Sequence, residues 1–467
     1  MNCRSLPILE FIRTVGKENV LTTLEERFCY SYDASKLNAL PECVVLPGSA
    51  EEIAELVKLA NRDRFPIFPR GAGTGMVGAS IPAGGGLVIS LRRLNRILEI
   101  DPENMFAIVE PGVVTGEFQR KVLQYGLFYP PDPASLQFST LGGNVAMCAG
   151  GPRAVKYGVT RDYVMGLEAV LPTGSIIRTG TRTMKGVVGY DLTRLLVGSE
   201  GTLGIFTKLT LRLIPAPEDV RTLMAVFPRI DDAARTVCEI IKNRIIPSTL
   251  ELLDQATIQA VENYLHMGLP LNCEALLLIE VDGRSCLLDE DALRIERICR
   301  QNGASQTEVA RDPTDRERLW RARRAISPAL GQIRPGKINE DVTVPRTLIP
   351  TLIRSIRTLA EKYKLIIVCF GHAGDGNIHT NIMLNRKDKD ELARAEKAVE
   401  ELFRIVLQLG GTLSGEHGIG ITKSPFFQWE VGAEGFQAMW KIKQALDPLN
   451  IMNPGKMFVP NRSFFQS

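Results

Sequence analysis

Cysteine pairs are the first feature that this 467-residue sequence lacks. Its nine cysteines stand singly and form no C-x-x-C pair; they lie at positions 3, 29, 43, 148, 238, 273, 286, 299 and 369. A zinc ribbon or a cysteine-ligated iron–sulfur cluster is therefore excluded. An odd number of scattered thiols in a chain without a secretory signal indicates reduced, mostly buried side chains.

Long apolar runs and an excess of one charge are also missing. The start, Met1–Glu10, is interrupted by Pro7 and does not resemble a signal peptide. No run approaches the roughly 20 apolar residues that span a bilayer. The 56 basic and 53 acidic residues leave a net charge of +3, which argues against nucleic acid as the main partner. We expect a cytoplasmic protein, or one held at a membrane through a partner subunit.

The length predicts more than one domain, and the local pattern predicts an α+β fold. Over residues 41–213, short β-rich runs alternate with glycine turns, and a helix begins after the cap Ser49 and runs to about Asn61. The stretch Pro215–Glu218 breaks this pattern. Strands and helices then alternate to the end of the chain. The predicted divisions are a first domain at 1–217, a second at 218–425 and a C-terminal segment at 426–467 that returns to the first.

A glycine loop at 71–78 contains a literal G-x-G-x-x-G at positions 73, 75 and 78. A dinucleotide-binding fold would need a helix after the last glycine and an acidic residue after the next strand. Residues 79–86 cannot form a helix, and the strand at 87–91 is followed by Arg92 and Arg93. The NAD interpretation therefore fails. A loop of this kind can bind phosphate through its backbone N–H groups, or it can be a plain surface turn.

The segment Pro69–Gly75 resembles the pyrophosphate loop of FAD-linked oxidases of the vanillyl-alcohol oxidase superfamily, and within it the flavoprotein subunits of glycolate oxidase and D-lactate dehydrogenase. Three further segments match that family in order: 129–135, 140–146 and 197–205. The resemblance runs from about residue 40 to 458. It implies an FAD-binding domain of the vanillyl-alcohol oxidase type and a cap domain with an antiparallel sheet.

The same resemblance implies the residues that contact FAD. They are Pro69, Arg70, Gly71, Ala72, Gly73, Thr74, Gly75, Pro131, Asp132, Ser135, Thr140, Gly142, Gly143, Asn144, Glu200, Gly201, Ile205 and Asn453. The first 265 residues contain no histidine, so a histidyl link to the flavin from this domain is impossible. Cys148 is the remaining candidate for a covalent link, and we expect noncovalent FAD.

Only four histidines occur in the chain, and three of them lie in glycine-rich sequence between 372 and 417. The stretch between His372 and His379 holds a Gly-Asp-Gly-Asn turn signal, and a turn there can bring the two imidazoles together. With the carboxylate of Glu416 they would match an open divalent metal site. The alternative is a packed structural histidine pair. His266 has no such context and is expected at the surface.

In the family, the positions that match His372, His379 and Glu416 are metal ligands, so the resemblance implies one divalent metal, zinc or manganese, with iron left open by the ligand set. Glu416 and His417 are adjacent, and in an extended segment their side chains would diverge, leaving His417 as the general base beside the flavin. The resemblance also implies that Arg323, in a W-x-x-R pattern, binds a substrate carboxylate. Ser327 and Asn381 are implied as further substrate contacts.

These residues lead to the hypothesis of a dehydrogenase that oxidises a small 2-hydroxy acid by metal-assisted deprotonation and hydride transfer to flavin N5. Electrons would then pass to a partner, which could be an iron–sulfur subunit, an electron-transfer flavoprotein or a quinone-linked chain. Two alternatives are a metal-dependent hydrolase, which leaves the glycine segments unexplained, and a flavin-binding companion subunit without turnover. The sequence leaves open the substrate, its enantiomer, the acceptor and the oligomeric state.

Overall fold

A computed structural model describes residues 6–458 of the chain. Cys3 and the outermost parts of the predicted terminal segments, 1–5 and 459–467, lie outside the described residues. The chain folds into two compact units, each built from separate stretches of sequence. The first comprises Met1–Gly150, Val159–Ala216 and Glu416–Ser467, and the second comprises Gly151–Gly158 and Pro217–Gly415.

The strands, numbered in chain order, are β1 (Val20–Leu21), β2 (Cys43–Val45), β3 (Ile67–Arg70), β4 (Leu87–Ser90), β5 (Ile97–Asp101), β6 (Phe106–Val109), β7 (Leu127–Phe128), β8 (Val164–Val170), β9 (Ile176–Gly180), β10 (Ile205–Arg212), β11 (Ile214–Pro215), β12 (Asp219–Phe227), β13 (Thr249–Asp254), β14 (Ala275–Gly283), β15 (Gln306–Val309), β16 (Gly336–Thr343), β17 (Ile366–His372) and β18 (Asn377–Leu384).

The α-helices are α1 (Ile8–Val15), α2 (Leu24–Phe28), α3 (Ala50–Asp63), α4 (Thr115–Leu123), α5 (Leu141–Met147), α6 (Ala154–Tyr157), α7 (Leu192–Leu196), α8 (Ile230–Lys242), α9 (Gln255–Leu265), α10 (Ser285–Gln301), α11 (Pro313–Arg324), α12 (Ile326–Leu330), α13 (Ile349–Tyr363), α14 (Lys389–Gln408) and α15 (Phe427–Leu446). Short 3₁₀ turns lie at Lys17–Asn19, Leu91–Arg93, Thr160–Tyr163, Arg346–Leu348 and Ser424–Phe426.

The first unit contains a four-stranded sheet in the order β1-β2-β4-β3 and a five-stranded antiparallel sheet in the order β5-β6-β10-β8-β9. Strands β7 and β11 form a small antiparallel pair. In the first sheet β2, β4 and β3 run parallel, and α3 packs its apolar stripe into the core beside them. As predicted, Ser49 caps α3: its hydroxyl accepts the backbone N–H of Glu52, a contact worth about 1 kcal/mol.

The second unit is built on one antiparallel sheet of seven strands, in the order β15-β12-β14-β13-β17-β18-β16. Helices α9, α11 and α12 pack on one face, and their apolar side chains join those of β13, β14 and β17 in a common core. The predicted turn between His372 and His379 is present, so β17 and β18 form a hairpin in the middle of the sheet.

The two units divide the chain differently from the predicted domains. Residues 151–158 belong to the second unit, where Lys156 and Tyr157 bind the carboxylate of Asp282 on β14. Residues 416–425 belong to the first unit, where the Ile421 N–H donates to the Val77 carbonyl at 2.8 Å. Local sequence does not encode these long-range bonds. Among the described residues, no helix has the length and apolar character needed to cross a membrane.

Candidate active site

A cavity with about 1220 Å³ of empty space, its solvent-open mouth included, lies within the first unit. Fifteen of the residues that the sequence assigns to FAD line the cavity: Pro69, Arg70, Gly71, Ala72, Gly73, Thr74, Gly75, Ser135, Thr140, Gly142, Gly143, Asn144, Glu200, Gly201 and Ile205.

Glycine is required at several points of this wall. Gly73 has φ +70°, and a Cβ there would overlap the guanidinium of Arg70. A Cβ on Gly71 would lie 2.5 Å from the Thr140 hydroxyl, which caps α5 by accepting the Gly143 N–H. Backbone therefore replaces side chains along this wall, as expected where N–H groups must approach a phosphate. These residues fit the pyrophosphate part of FAD.

Three residues assigned to FAD do not line this cavity. Pro131 and Asp132 directly precede residues 133–135, which line the cavity. The Pro131 carbonyl accepts a hydrogen bond from the Gln119 side-chain amide. Asn453 is buried, and its side-chain amide donates to the carbonyls of Ala79 and Glu200. Asn453 thus joins the C-terminal segment to two loops of the cavity wall.

The carboxylate of Glu200 holds the turn that follows His417. It accepts the backbone N–H groups of Ile419 and Gly420, both at 2.7 Å. Burial raises the pKa of Glu200, while these hydrogen bonds and the charges of Lys456 and Lys423 act in the opposite direction. A side chain assigned to cofactor contact therefore also fixes the backbone beside the predicted base.

Glu416 and His417 both line the same cavity, so the prediction that their side chains diverge is wrong. His417 Nε2 lies 3.8 Å from Glu416 Oε1. The chain bends here instead of running extended, and Gly418 takes φ +84°. Glu200 binds the backbone just after this bend, and Gly150 leaves room for Glu416, because a Cβ at Gly150 would lie 2.9 Å from Glu416 Oε2; local sequence encodes neither contact.

Cys148 ends α5 in a left-handed conformation (φ 52°) and is half-buried. It is not among the residues that line the cavity. Burial raises the pKa of its thiol, which keeps the weakly nucleophilic protonated form.

In the second unit, His372 and His379 lie on the adjacent strands β17 and β18. Both are buried, and their ring centroids are 5.2 Å apart. His372 Nδ1 lies 2.5 Å from Glu251 Oε1. Burial alone would raise the pKa of Glu251, but Arg323 and His372 outweigh it and hold this pKa well below its ordinary value. A carboxylate in contact with Nδ1 can accept a hydrogen bond from it, and in the neutral imidazole this arrangement leaves the Nε2 lone pair for a cation.

The substrate residues implied by sequence lie in the same unit. Asn381 is fully buried on β18, two residues beyond His379. Arg323, near the end of α11, bonds Glu251 through Nε at 2.5 Å. Ser327 is exposed on α12, and its hydroxyl accepts a hydrogen bond from Lys337 Nζ at 3.4 Å. His266 is exposed, as expected.

Sequence reasoning missed two charged residues here. Glu251 is flanked by the buried leucines Leu250 and Leu252 of β13, and a charged side chain between buried apolar ones is a recognisable signal for a paired carboxylate. Lys337 belongs to no motif that the sequence alone distinguishes. Its position beside Ser327 depends on the packing of β16 near α12, which the local pattern does not reveal.

Comparisons with known proteins identify the family of this chain. Residues 216–457 match the family profile described as "FAD linked oxidases, C-terminal domain", and residues 41–180 match the one described as "FAD binding domain". The chain belongs to the FAD-linked oxidases. It is an FAD-dependent oxidoreductase, and the predicted family is confirmed.

Two relatives among many illustrate the similarity. The glycolate oxidase subunit GlcD of Bacillus subtilis (strain 168) is 46% identical, over 96% of this chain and 96% of that protein. The D-lactate dehydrogenase of Anaerostipes hadrus is 35% identical, over 96% of this chain and 97% of that protein.

Solved structures support the predicted fold class. p-Cresol methylhydroxylase with substrate bound matches with a TM-score of 0.81 at 19% identity, covering 98% of this chain and 97% of that one. The 4-ethylphenol oxidase from Gulosibacter chungangensis matches with a TM-score of 0.79 at 20% identity, covering 96% of each chain. At these identities the likeness shows the fold alone, and that fold is of the vanillyl-alcohol oxidase type.

Proposed function

We propose that this FAD-linked oxidase oxidises a small 2-hydroxy acid to the 2-oxo acid and passes the electrons to a partner protein or quinone-linked chain. The single observation that carries the proposal is that Glu416 and His417 line the glycine-walled cavity of the first unit. The residues that we propose as a metal ligand and as the base therefore line the cavity that we assign to FAD. The names of the relatives, a glycolate oxidase subunit and a D-lactate dehydrogenase, point to the substrate class.

The residues that would hold a metal are His372, His379 and Glu416. The donor set fits, because both imidazoles are buried, one of them contacts the Glu251 carboxylate through Nδ1, and the second lies beside it. Glu416 directly follows Gly415, whose N–H donates to the Asp341 carbonyl at 2.9 Å. Asp341 is the register partner of His379 on β18. The chain therefore enters Glu416 from a point fixed beside His379, which supports Glu416 as third ligand.

Arg323 supplies the cation that a carboxylate substrate needs, because a guanidinium fork matches a carboxylate. Asn381 and Ser327 are the polar contacts that we assign to the same substrate. Lys337, next to Ser327, adds a second cation and suits a substrate with a further anionic or polar group.

His417 would take the proton of the substrate hydroxyl, a role that suits an imidazole near neutral pH. Bound FAD would supply the hydride acceptor, and a metal held by His372, His379 and Glu416 would supply Lewis acidity toward the substrate hydroxyl. Arg323 keeps the substrate oriented, so that the reacting carbon and the base stay aligned.

Anaerobic mixing with candidate acids tests this function. The purified protein should show flavin bands near about 380 and 450 nm, as flavoproteins do. The band near 450 nm should bleach with glycolate, D-lactate or D-2-hydroxyglutarate, and simple alcohols should leave it unchanged. A flavoprotein that no 2-hydroxy acid bleaches would be a companion subunit without turnover of its own.

A second experiment tests how the flavin is held. We propose noncovalent FAD, because Cys148 is kept protonated and does not line the cavity. Acid precipitation should release all colour to the supernatant. Colour that stays in the pellet of wild-type protein and leaves it in Cys148→Ser would contradict the proposal.

A further inference from the structure

The strand β13 lies in the middle of the seven-stranded sheet of the second unit and carries the carboxylate of Glu251 between apolar neighbours. All six residues of β13 are buried, and Glu251 is 0% exposed. A buried carboxylate without partners would be costly, since desolvation is not repaid. The contacts of Glu251 therefore indicate its role.

Glu251 uses its two oxygens on two different groups. Oε1 lies 2.5 Å from Nδ1 of His372, and Oε2 lies 2.5 Å from Nε of Arg323. The first contact follows from register, because Glu251 and His372 are opposite each other across the antiparallel pair β13–β17. The second contact reaches up from the sheet to helix α11.

The helix that carries Arg323 is anchored by a separate carboxylate. Glu280 on β14 accepts hydrogen bonds from the Trp320 indole at 2.7 Å and from Arg316 Nε at 2.8 Å. The tryptophan of the W-x-x-R pattern thus fixes the helix, and the arginine three residues later points its guanidinium over the ring of Phe370, 4.9 Å from the centroid. Because Glu251 holds Nε, the two terminal nitrogens lie outside that bond.

We propose that Glu251 is a positioning residue that orients both the metal-binding imidazole of His372 and the carboxylate-binding guanidinium of Arg323. This inference rests on the proposed function, in which His372 holds a metal and Arg323 holds the substrate. One buried carboxylate then sets two affinities: it selects the His372 tautomer whose Nε2 can bind a cation, and it fixes the direction in which Arg323 meets an anion. If Glu251 served only to stabilise the fold, its replacement would change neither the metal affinity nor the substrate affinity of the folded protein.

The test compares Glu251→Gln with Glu280→Gln. Both positions are buried glutamates that bind an arginine in the same sheet, but only Glu251 contacts a histidine. A glutamine at 251 has only one acceptor oxygen, so it loses one of the two contacts and keeps the other without the negative charge that strengthens it. Zinc affinity is measured on chelator-treated, flavin-loaded protein by competition with a chromophoric chelator. Oxalate affinity of the metal-free protein is measured by the change in the flavin spectrum.

We expect Glu251→Gln to weaken zinc binding about 10- to 100-fold, the usual effect of losing the carboxylate behind a metal-bound histidine. Oxalate binding should weaken in the same variant, and Glu251→Asp, which keeps the charge, should restore part of both affinities. Glu280→Gln should bind zinc as the wild type does. Retained flavin and an unchanged circular dichroism spectrum show that each variant is folded.

A measurement without replacement of Glu251 keeps the proposal falsifiable if those variants do not fold. Arg323→Met removes the cation that is bonded to the Glu251 carboxylate. The negative charge of Glu251 then acts on His372 alone, so zinc should bind more tightly even though Arg323 is not a metal ligand. Unchanged zinc affinity in a folded Glu251→Gln overturns the positioning role, and where the Glu251 variants do not fold, unchanged zinc affinity in Arg323→Met overturns it. A wild-type protein that binds no zinc or manganese would instead overturn the metal site of the proposed function.

Discussion

The carboxylate of Glu200 accepts the N–H of Gly420, 220 positions further along the chain, at 2.7 Å. Its other oxygen accepts the N–H of Ile419 at the same distance. His417 lies just before this turn, so we expect Glu200→Ala to misplace the imidazole. Flavin reduction should then slow by roughly 10- to 100-fold, because displacement of a reacting group by about 1 Å can lower a rate about 10²-fold. Stopped-flow measurement of flavin reduction tests this prediction.

Glu168→Gln is the matched control. Glu168 is also a buried glutamate of the first unit, but it binds Arg178 and Lys208 at the sheet surface and does not line the cavity. Its flavin reduction rate should equal that of the wild type. An equal loss in both variants would mean that general destabilisation, and not the turn, explains the effect.

Gly73→Val should abolish FAD binding. The residue has φ +70°, where a β-branched side chain is strained, and its Cβ would overlap Arg70 in the cavity wall. Gly84→Val provides the control, because Gly84 has φ +91° with open space around it. The absorbance ratio of flavin to protein after purification is the measurement. Equal loss of flavin in the two variants would show that backbone strain alone is responsible.

His379→Ala should lose the bound divalent metal and turnover while keeping FAD, because His379 belongs to the second unit and the glycine-walled cavity to the first. Chelation of the wild type should have the same effect, and added zinc or manganese should restore activity only to the wild type. His266→Asn is the control, since His266 is exposed and its left-handed backbone (φ 50°) suits asparagine. Full turnover by chelated protein would refute a catalytic metal.

His417→Gln should lower kcat by a factor on the order of 10²–10⁴, the usual contribution of a general base. Metal content should stay near that of the wild type, while Glu416→Gln should lose metal and substrate affinity together. Elemental analysis and kinetics of the two variants distinguish the roles. Because the two side chains lie 3.8 Å apart in one bend, loss of metal from His417→Gln with retention in Glu416→Gln would exchange their assignments.

The pKa of Lys456 leads to a prediction of how the free energy of unfolding depends on pH. Burial lowers its pKa to about 7, partly offset by Glu200 and Asp33. Below pH 7 the lysine is charged in both the folded and unfolded states; between pH 7 and its ordinary pKa of roughly 10.4 only the unfolded state keeps the proton. The folded state should therefore gain stability relative to Lys456→Met as pH rises through this window. Melting temperatures of both proteins from pH 6 to 9 test the sign, and a constant difference would contradict it.

Local patterns predicted much of the fold because they report short-range physics. The Ser49 cap, the hairpin between His372 and His379 and the chain break near Pro215 all follow from residues within a few positions of each other. The family resemblance supplied most of the cavity wall. Local patterns and family motifs both consist of residues that are contiguous, or nearly so, in the sequence.

The missed features depend on contacts between distant segments. Glu251 meets Arg323 across 72 positions and His372 across 121, and no periodicity encodes those pairings. The sequence predicts an extended segment at Glu416 and His417, whereas the chain bends there. The backbone just after the bend is bound by Glu200, which lies more than 200 positions earlier. The same is true of residues 151–158, which join the second unit through Asp282.

The first unit is completed by the last part of the chain. The N–H of Ile67 on β3 donates to the Ile451 carbonyl at 2.7 Å, and the N–H of Asn453 donates back to Ile67 at 2.7 Å. During synthesis on the ribosome, β3 and the glycine loop after it emerge long before these partners exist. The nascent chain must then carry an unfinished flavin pocket while the whole second unit is translated, so capture of FAD becomes a late event in biogenesis and a truncated product would emerge without its cofactor.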